Sequence, residues 1–242
     1  MKILNLGSGF RASPKENVIN IDWSIYLRIR RNFILKFLSP LFLSKERYKN
    51  LINMPKNIMV YNLSKGIPFE DNSVDVVYHS HLIEHLDKDV AKKFLIEIKR
   101  VLKPGGIIRI STPDFERYCR DYIKHYDEVT KGKSDKKNHE KFFERILEQS
   151  VRREAAGAKK QNKILRFIEN LLLGDARKRG ETHQWMYDKI SLSHLLEIIG
   201  FENVKSKNFD QSSITDWNQY FLDCNEDFSE YKPESMYIEA TK

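Results

Sequence analysis

The chain has 242 residues, of which 40% are hydrophobic, and its net charge is +8 at pH 7. This length suits one α/β domain with insertions, and the apolar content is sufficient to fill its core. No apolar stretch approaches the roughly 18 residues of a transmembrane helix, which argues against a membrane-spanning segment. Cys119 and Cys224 are far apart and lack a metal-binding spacing, so we expect reduced thiols in a cytoplasmic protein without a signal peptide.

The positive charge is concentrated in two segments of the chain. Residues 28–49 carry seven lysines and arginines against one acid, and residues 131–179 carry fifteen against seven. Such segments are typical of contacts with anionic lipid, nucleic acid or a phosphorylated substrate. The alternative interpretation is that they form solvated helix faces.

The beginning of the chain carries the pattern of half a nucleoside-binding site. The apolar run over residues 2–6 predicts a buried parallel strand, followed by the turn Gly7-Ser8-Gly9. A second strand is predicted over residues 18–21, directly before Asp22. Glycines allow a ligand to approach the backbone closely. Because the ends of neighbouring parallel strands meet at one edge, Asp22 is placed to accept hydrogen bonds from a ribose diol there.

Two classes of cofactor fit this half-site. Residues 7–12 match the dinucleotide pattern G-x-G-x-x-G/A, in which the acid follows about 20 residues later. Here Asp22 follows Gly9 by only 13 residues. Ser13 resembles a helix cap, but the spacing leaves room for about one helical turn, whereas a pyrophosphate requires a full helix N-terminus. We therefore expect S-adenosylmethionine, which has no phosphate, rather than a dinucleotide.

The remaining elements continue an alternation of strands and helices. An amphipathic helix over residues 25–38, ended by Pro40, is predicted within an insertion over 24–57. A long charged insertion, also helical, is predicted over 115–180. Further strands are predicted over 58–61, 74–78, 107–111, 204–209 and 236–240, and further helices over 89–102 and 187–199. The alternation predicts an α/β fold: a doubly wound, mostly parallel, Rossmann-like sheet with helices on both faces and two helical insertions.

Two later blocks resemble the class I S-adenosylmethionine-dependent methyltransferases. Residues 67–86 (IPFEDNSVDVVYHSHLIEHL) are similar to the family block P-F-x-D-x-S-F-D-x-V…E-H, and residues 98–106 (IKRVLKPGG) are similar to the block R-V-L-K-P-G-G. Within the class, residues 4–22 and 183–188 resemble a bacterial group associated with cell-surface polysaccharide synthesis. The resemblance implies one methyltransferase domain over 1–242, in which the two insertions form a lid or substrate-binding subdomain.

The resemblance also implies which residues bind the cofactor. The glycine turn would line its methionine and ribose portion, Asp22 would bind the ribose hydroxyls, and the other members of the set would contact the adenine or the methionine end. The cofactor-binding set is Gly7, Ser8, Gly9, Asp22, Trp23, Asn62, Leu63, His79 and Ser80. Asn5 departs from the family pattern, because an acid usually stands two residues before the glycines.

Histidines are the candidates for the chemistry. A hydroxyl acceptor needs a general base that works near neutral pH. His183, before the helix over 187–199, and His81, after the fourth strand, are the predicted catalytic residues. His81, Glu84 and His85 have a spacing that also fits a metal site. The preferred interpretation is that Glu84 and His85 are a structural pair, so no metal is expected.

These observations predict O-methylation of a hydroxyl on a sugar or lipid-linked glycan. The alternatives are an RNA methyltransferase, with RNA bound by the basic insertions, and a non-catalytic cofactor-binding module that docks a partner protein. The apolar stripe over residues 25–43, flanked by basic residues, predicts either a lid over the site or a helix lying on an anionic membrane. In the second case the protein would contact the inner membrane surface peripherally.

Overall fold

A single seven-stranded sheet organises the protein, whose computed structural model describes residues 1–150 and 182–242. The strands lie in the order β3-β2-β1-β4-β5-β7-β6. Strands β1 to β5 are mutually parallel, and β7 runs antiparallel to both β5 and β6. The strands are β1 (Ile3–Leu6), β2 (Val18–Asp22), β3 (Ile58–Val60), β4 (Val74–Ser80), β5 (Leu102–Pro113), β6 (Glu202–Lys207) and β7 (Ser235–Thr241). This sheet confirms the predicted α/β fold.

The helices cover one face of the sheet and one of its edges. The described helices are α1 (Ile25–Arg31), α2 (Phe33–Phe42), α3 (Lys45–Asn53), α4 (Lys88–Val101), α5 (Phe115–Thr130), α6 (His139–Ser150) and α7 (Lys189–Ile199). Leu95 and Ile98 of α4 and Leu196 of α7 pack with Ile110 of β5 in the largest core cluster. None of these described helices is long and apolar enough to span a membrane.

The other face of the sheet is covered in a way that the sequence pattern does not predict. Trp217 and Tyr220, which belong to a short 3₁₀ turn between β6 and β7, pack against Ile3 and Tyr78 there. Helices were predicted on both faces of the sheet, and at this place the described residues form a 3₁₀ turn instead of an α-helix. Because the connection between β6 and β7 contains no crossover helix, β7 returns antiparallel rather than parallel.

The first insertion contains three helices, α1, α2 and α3, where one was predicted, and Pro40 does not end α2. Asn32 separates α1 from α2 and caps α2 through its side chain. Pro40 lies inside α2, where it removes a backbone hydrogen bond to Lys36. The buried Ser39 donates from Oγ to the Lys36 carbonyl at 2.7 Å, which replaces the missing bond. The prediction that Pro40 terminates the helix is wrong because this hydroxyl satisfies the carbonyl.

The second insertion is described in its first half. Helices α5 and α6 confirm the helical pattern predicted after β5. The remainder of the predicted insertion, residues 151–180, lies outside the described residues. Helix α7 begins at Lys189, two residues later than predicted, because Asp188 caps it. It ends at Ile199, before Gly200 in the left-handed conformation, as the sequence predicts.

Candidate active site

The glycine turn folds back onto the end of β2. Gly7 and Gly9 have φ angles of +67° and +51°, a region that side chains with a Cβ disfavour. The backbone N–H groups of Gly7 and Ser8 donate to the Ile21 carbonyl at 2.8 and 3.1 Å. The turn is therefore fixed beside the carboxyl end of β2.

Asp22 holds this turn with its carboxylate. Its Oδ2 accepts from the Gly9 N–H at 2.8 Å, and its Oδ1 accepts from the Ser24 N–H at 2.5 Å. An ionised carboxylate offers about four acceptor positions, so about two remain for a diol. The Asp22 side chain thus orders the loop and keeps acceptor capacity for a ligand.

The turn leaves space for the adenosyl cofactor. No heavy atom lies within 4 Å of the position that a Cβ would take at Gly9, whereas a Cβ at Gly7 would lie 3.1 Å from the Leu82 side chain. The Ser8 hydroxyl is buried and has no hydrogen-bond partner among the described residues. The open backbone, the orphaned hydroxyl and the spare acceptors of Asp22 all fit S-adenosylmethionine.

Asparagines replace the one-turn helix that was expected after the glycines. The Asn20 side chain accepts from the Ser13 N–H and donates to the Ser13 carbonyl, each at 2.9 Å. Asn5 donates to Asn20 Oδ1 at 2.9 Å and to the Arg11 carbonyl at 2.8 Å. Ser13 starts a turn and not a helix, so the predicted helical cap is wrong. Asn5, which stands where the family usually has an acid, fixes the loop through these two hydrogen bonds.

The predicted adenine-side residues lie at the neighbouring strand ends. The Tyr61 N–H donates to the Asp22 carbonyl at 3.1 Å, which brings the end of β3 beside Asp22. Asn62 follows and accepts from the Ser64 N–H at 3.0 Å, and Leu63 packs against the main core. Trp23 is 42% exposed and lies under the Arg28 guanidinium. The three residues thus lie near the end of β2, and their contacts with the adenine stay predictions.

His79 and Ser80 end β4 beside the glycine turn. His79 is paired in register with Leu6, the residue before Gly7. Its ring is fully buried, and neither nitrogen has a hydrogen-bond partner among the described residues. Burial lowers the pKa of His79 to about 4, so the ring is neutral near pH 7. A neutral, unpartnered imidazole at this edge can still bond a ligand.

A second polar cluster begins directly after β4, at His81. His81 has a φ of +48°, a strained value for a residue with a Cβ. Its Nδ1 lies 3.2 Å from Glu84 Oε1, and its Nε2 lies 2.8 Å from the Ser235 hydroxyl. The strained backbone therefore directs the ring between a carboxylate and a hydroxyl group.

Glu84 is the buried anion at the centre of this cluster. Its Oε2 accepts from the Thr112 hydroxyl at 3.2 Å. Burial opposes ionisation, but His81 and His85 outweigh it and lower the pKa of Glu84 below its usual value. A charged carboxylate is consequently held inside the protein, next to the carboxyl ends of β4 and β5.

His183 joins the cluster from a distant part of the chain. The N–H groups of Gln184 and Trp185 donate to the Glu84 carbonyl at 2.7 and 3.2 Å, which docks this segment on the turn after β4. The rings of His85 and His183 then meet edge to face, with centroids 4.7 Å apart. Both predicted catalytic histidines, His81 and His183, thus lie around Glu84.

Tyr187 and Lys232 also lie near the charge of Glu84, and the sequence analysis did not select either of them as a site residue. The Tyr187 hydroxyl is buried without a partner among the described residues, and burial followed by the charge of Glu84 raises its pKa to about 12. Burial lowers the pKa of Lys232, and the charge of Glu84 opposes this shift. From the sequence, Tyr187 is equally compatible with a ring that stacks on a sugar and with a core residue. Lys232 follows the irregular segment after β6, where no periodic signal exists.

The two parts of the site touch each other. Leu82, whose side chain lies against the Gly7 backbone, is two residues from Glu84. A ligand bound over the glycine turn would therefore have the Glu84 cluster as its neighbour along the strand ends. This is where open α/β sheets bind ligands.

The family comparison matches the middle of the chain. Residues 38–110 match the family model described as a methyltransferase domain. A Mycolicibacterium smegmatis protein named a probable S-adenosylmethionine-dependent methyltransferase is 46% identical over 48 residues, 20% of this chain and 18% of that protein. An uncharacterized methyltransferase of Schizosaccharomyces pombe is 39% identical over 61 residues, 25% of this chain and 21% of that protein. The matched segments thus span about a fifth of these relatives.

Among solved structures, an S-adenosylmethionine-dependent methyltransferase of Methanosarcina mazei aligns with 100% of this chain and 92% of its own. The sequence identity is 15% and the TM-score is 0.46. A methyltransferase of Archaeoglobus fulgidus aligns with 100% of this chain and 86% of its own, at 15% identity and a TM-score of 0.42.

Proposed function

We propose that this chain, which carries a class I S-adenosylmethionine-dependent methyltransferase domain, methylates a hydroxyl group of a sugar or lipid-linked glycan. The match of residues 38–110 to a methyltransferase-domain model and the topology of the sheet support this class and its cofactor, S-adenosylmethionine. The observation that carries the proposal is the pairing of the glycine turn and Asp22 with the histidine cluster around Glu84.

The glycine turn and Asp22 bind and orient the cofactor in this proposal. When bound, S-adenosylmethionine supplies an activated methyl group whose carbon–sulfur bond breaks as the acceptor oxygen attacks. Alignment of the two reactants is the main task of the protein in such a displacement. The fixed Gly9–Asp22 contact at 2.8 Å supports a pre-organised position for the ribose.

His183 and His81 are the residues that we assign to activation of the acceptor. His183 donates from Nδ1 to the Gln149 carbonyl at 2.8 Å, so its neutral ring has an accepting Nε2. His81 has Nε2 beside the Ser235 hydroxyl, which supports its use with a hydroxyl group. The acceptor proton would leave to one of these nitrogens as the methyl–oxygen bond forms.

The insertions support a role in acceptor binding. Helix α6 supplies Gln149, whose carbonyl orients His183, and Arg145, which pairs with Glu234 next to the cluster. We propose that the insertions over 24–57 and 115–180 form the acceptor-binding subdomain of a single domain.

The first insertion favours an acceptor that is carried on a membrane lipid. Phe33, Phe37 and Leu41 follow one another at i, i+4 spacing on α2 and are 82%, 75% and 76% exposed. Arg31 and Lys36 are exposed on the same segment. An apolar stripe with flanking cations fits the surface of an anionic bilayer. The stripe remains uncovered in the part of the chain that is described, which favours this interpretation over a closed lid.

Liposome sedimentation tests the membrane part of the proposal. Wild-type protein should sediment with anionic vesicles at low salt, and F33S/F37S and R31E/K36E should each remain in the supernatant. Arg30→Gln is a matched control, because this arginine is occupied with the Met54 and Pro55 carbonyls. Wild-type protein that does not sediment would contradict the membrane role and leave α2 as a lid.

Mass spectrometry of surface glycans tests the acceptor. Glycans from cells that contain the protein should include species one CH₂ group heavier than those from cells without it. An unchanged glycan profile together with methylated RNA would favour the RNA alternative. Cofactor binding without transfer to any extract component would favour the non-catalytic module.

A further inference from the structure

Glu84, His85 and His183 place three metal-ligating groups together. Each offers one ligand atom, and the three atoms lie within 4.8 Å of one another. We propose that these residues bind a divalent transition-metal ion, of which Zn²⁺ is the representative. From the sequence, the spacing of His81, Glu84 and His85 also fitted a metal site, although no metal was expected. The three groups that lie together include His183 in place of His81.

The two histidines are held in the tautomer that a metal requires. His85 Nδ1 lies 3.1 Å from the Thr182 carbonyl, and His183 Nδ1 lies 2.8 Å from the Gln149 carbonyl. A carbonyl oxygen only accepts, so both Nδ1 atoms carry the proton, and the neutral rings keep their lone pair on Nε2. Orientation of a ligating imidazole by a backbone carbonyl is the usual outer-shell arrangement of metal sites.

The carboxylate supplies the negative charge that such an ion needs. Glu84 is fully buried, and its Oε1 accepts no hydrogen bond from the described residues. That oxygen lies 3.2 Å from His81 Nδ1 without hydrogen-bond geometry. Burial of an incompletely satisfied carboxylate is costly, and a bound cation removes much of that cost.

The composition of the set is that of an open metal site. Zinc bonds to nitrogen and oxygen are about 2.0–2.2 Å long, so tetrahedral ligand atoms lie about 3.4 Å apart. The ligand atoms lie up to 4.8 Å apart, so binding of the ion would draw the three side chains closer together. Two imidazoles and one carboxylate leave the fourth position free, as in catalytic rather than structural zinc sites.

The ion would give the two catalytic histidines different tasks, and this step rests on the proposed function. The acceptor hydroxyl would occupy the free position, where the ion lowers its pKa. His183 would then act as a ligand, and His81 would receive the proton at Nε2. The oxygen would bond to the methyl carbon while the carbon–sulfur bond breaks.

Metal binding can be tested without any acceptor. Chelator-treated, untagged protein should bind one Zn²⁺ per chain in calorimetry, and Co²⁺ in its place should give the visible absorption of a low-coordinate site. His183→Ala and His85→Ala should each weaken Zn²⁺ binding at least 100-fold and abolish the Co²⁺ spectrum. His194→Ala, an exposed histidine on α7, should bind as the wild type does.

The outcomes separate the metal site from the proposed function. No stoichiometric Zn²⁺ binding, or binding unchanged in both ligand variants, would overturn the metal site. Methyl transfer that persists after chelation would then leave the proposed function standing. Zn²⁺ binding lost in both variants would support the site even if no hydroxyl acceptor is methylated.

Discussion

The two parts of the site are built in opposite ways. The glycine turn and Asp22 come from the first 22 residues. They are fixed by backbone hydrogen bonds to Ile21 and by the bond from the Gly9 N–H to the Asp22 carboxylate. The cluster around Glu84 gathers residues from the end of β4, from the segment before α7 and from the segment before β7. The difference agrees with the proposal, in which the first part binds the cofactor and the second part activates the acceptor.

The largest expected effect separates chemistry from cofactor binding. His183→Ala removes an imidazole from the Glu84 cluster without touching the glycine turn. Turnover should fall about 10²–10⁴-fold, the usual contribution of such a group, while cofactor affinity stays at the wild-type value. Initial rates and calorimetry on the same preparation measure both. An unchanged rate would remove His183 from the catalytic set.

A variant of Asp22 should weaken cofactor binding without removing a group from the Glu84 cluster. Asp22→Ala removes the acceptor of the Gly9 N–H in the glycine turn, the acceptor of the Ser24 N–H and the acceptors predicted for the ribose. Cofactor affinity should fall by about 1.5–3 kcal/mol, the range for a hydrogen bond to a charged group. Calorimetry with S-adenosylmethionine measures the loss, with NAD as the control ligand that should not bind. Tighter NAD binding by the wild type would contradict the cofactor assignment.

Two glycine variants test whether the glycine turn packs against the segment that leads to the Glu84 cluster. Gly7→Ala and Gly9→Ala both place a Cβ at positive φ, which costs about 1–2 kcal/mol. Only the Gly7 variant also presses on Leu82, next to the Glu84 cluster. We expect Gly7→Ala to lower the free energy of unfolding further than Gly9→Ala in urea titrations. Equal losses would show that Leu82 moves without cost.

The smallest expected effect is on the pH dependence of stability. It concerns a buried ion-pair network that lies outside the glycine turn and the Glu84 cluster. Arg109 is fully buried between Asp223 and Glu239. Although burial opposes ionisation, hydrogen bonds from Ser212 and Ser213, followed by Arg109, lower the pKa of Glu239 from its ordinary value of 4.5. The unfolded carboxyl group therefore binds its proton first as the pH falls. The stabilisation by Glu239 should be present above about pH 4.5 and disappear below it.

Glu239→Gln tests this pH dependence. The free energy of unfolding of the wild type should decrease between about pH 5 and 3 more steeply than that of the variant. Parallel curves would mean that Glu239 has the same pKa in the folded and unfolded protein.

Local patterns allowed prediction of most of the fold and of the first part of the site. The apolar run before Gly7 and the second strand before Asp22 gave the position of the half-site, because all the determining contacts are short in sequence. Pro40 misled the helix prediction, since the compensating Ser39 bond depends on a side-chain rotamer. The one-turn helix after Ser13 failed because Asn20 offered the loop other partners.

The second part of the site was only partly predictable. His81 and His183 were selected by chemistry and by their place next to predicted elements. Their common partner Glu84 becomes central only when Gln184 and Trp185 dock on its carbonyl. No periodicity in sequence reports a contact across that distance, so the sequence could not place His183 beside Glu84 and His85.

Transfer of labelled methyl from S-adenosylmethionine to a cell-envelope extract tests the two-part site most directly. At limiting cofactor, both Asp22→Ala and His183→Ala should transfer less label than the wild type. At saturating cofactor, Asp22→Ala should recover most of the wild-type rate, and His183→Ala should not recover. Recovery of both variants, recovery of His183→Ala alone, or no transfer by the wild type would contradict a site that divides cofactor binding from acceptor activation.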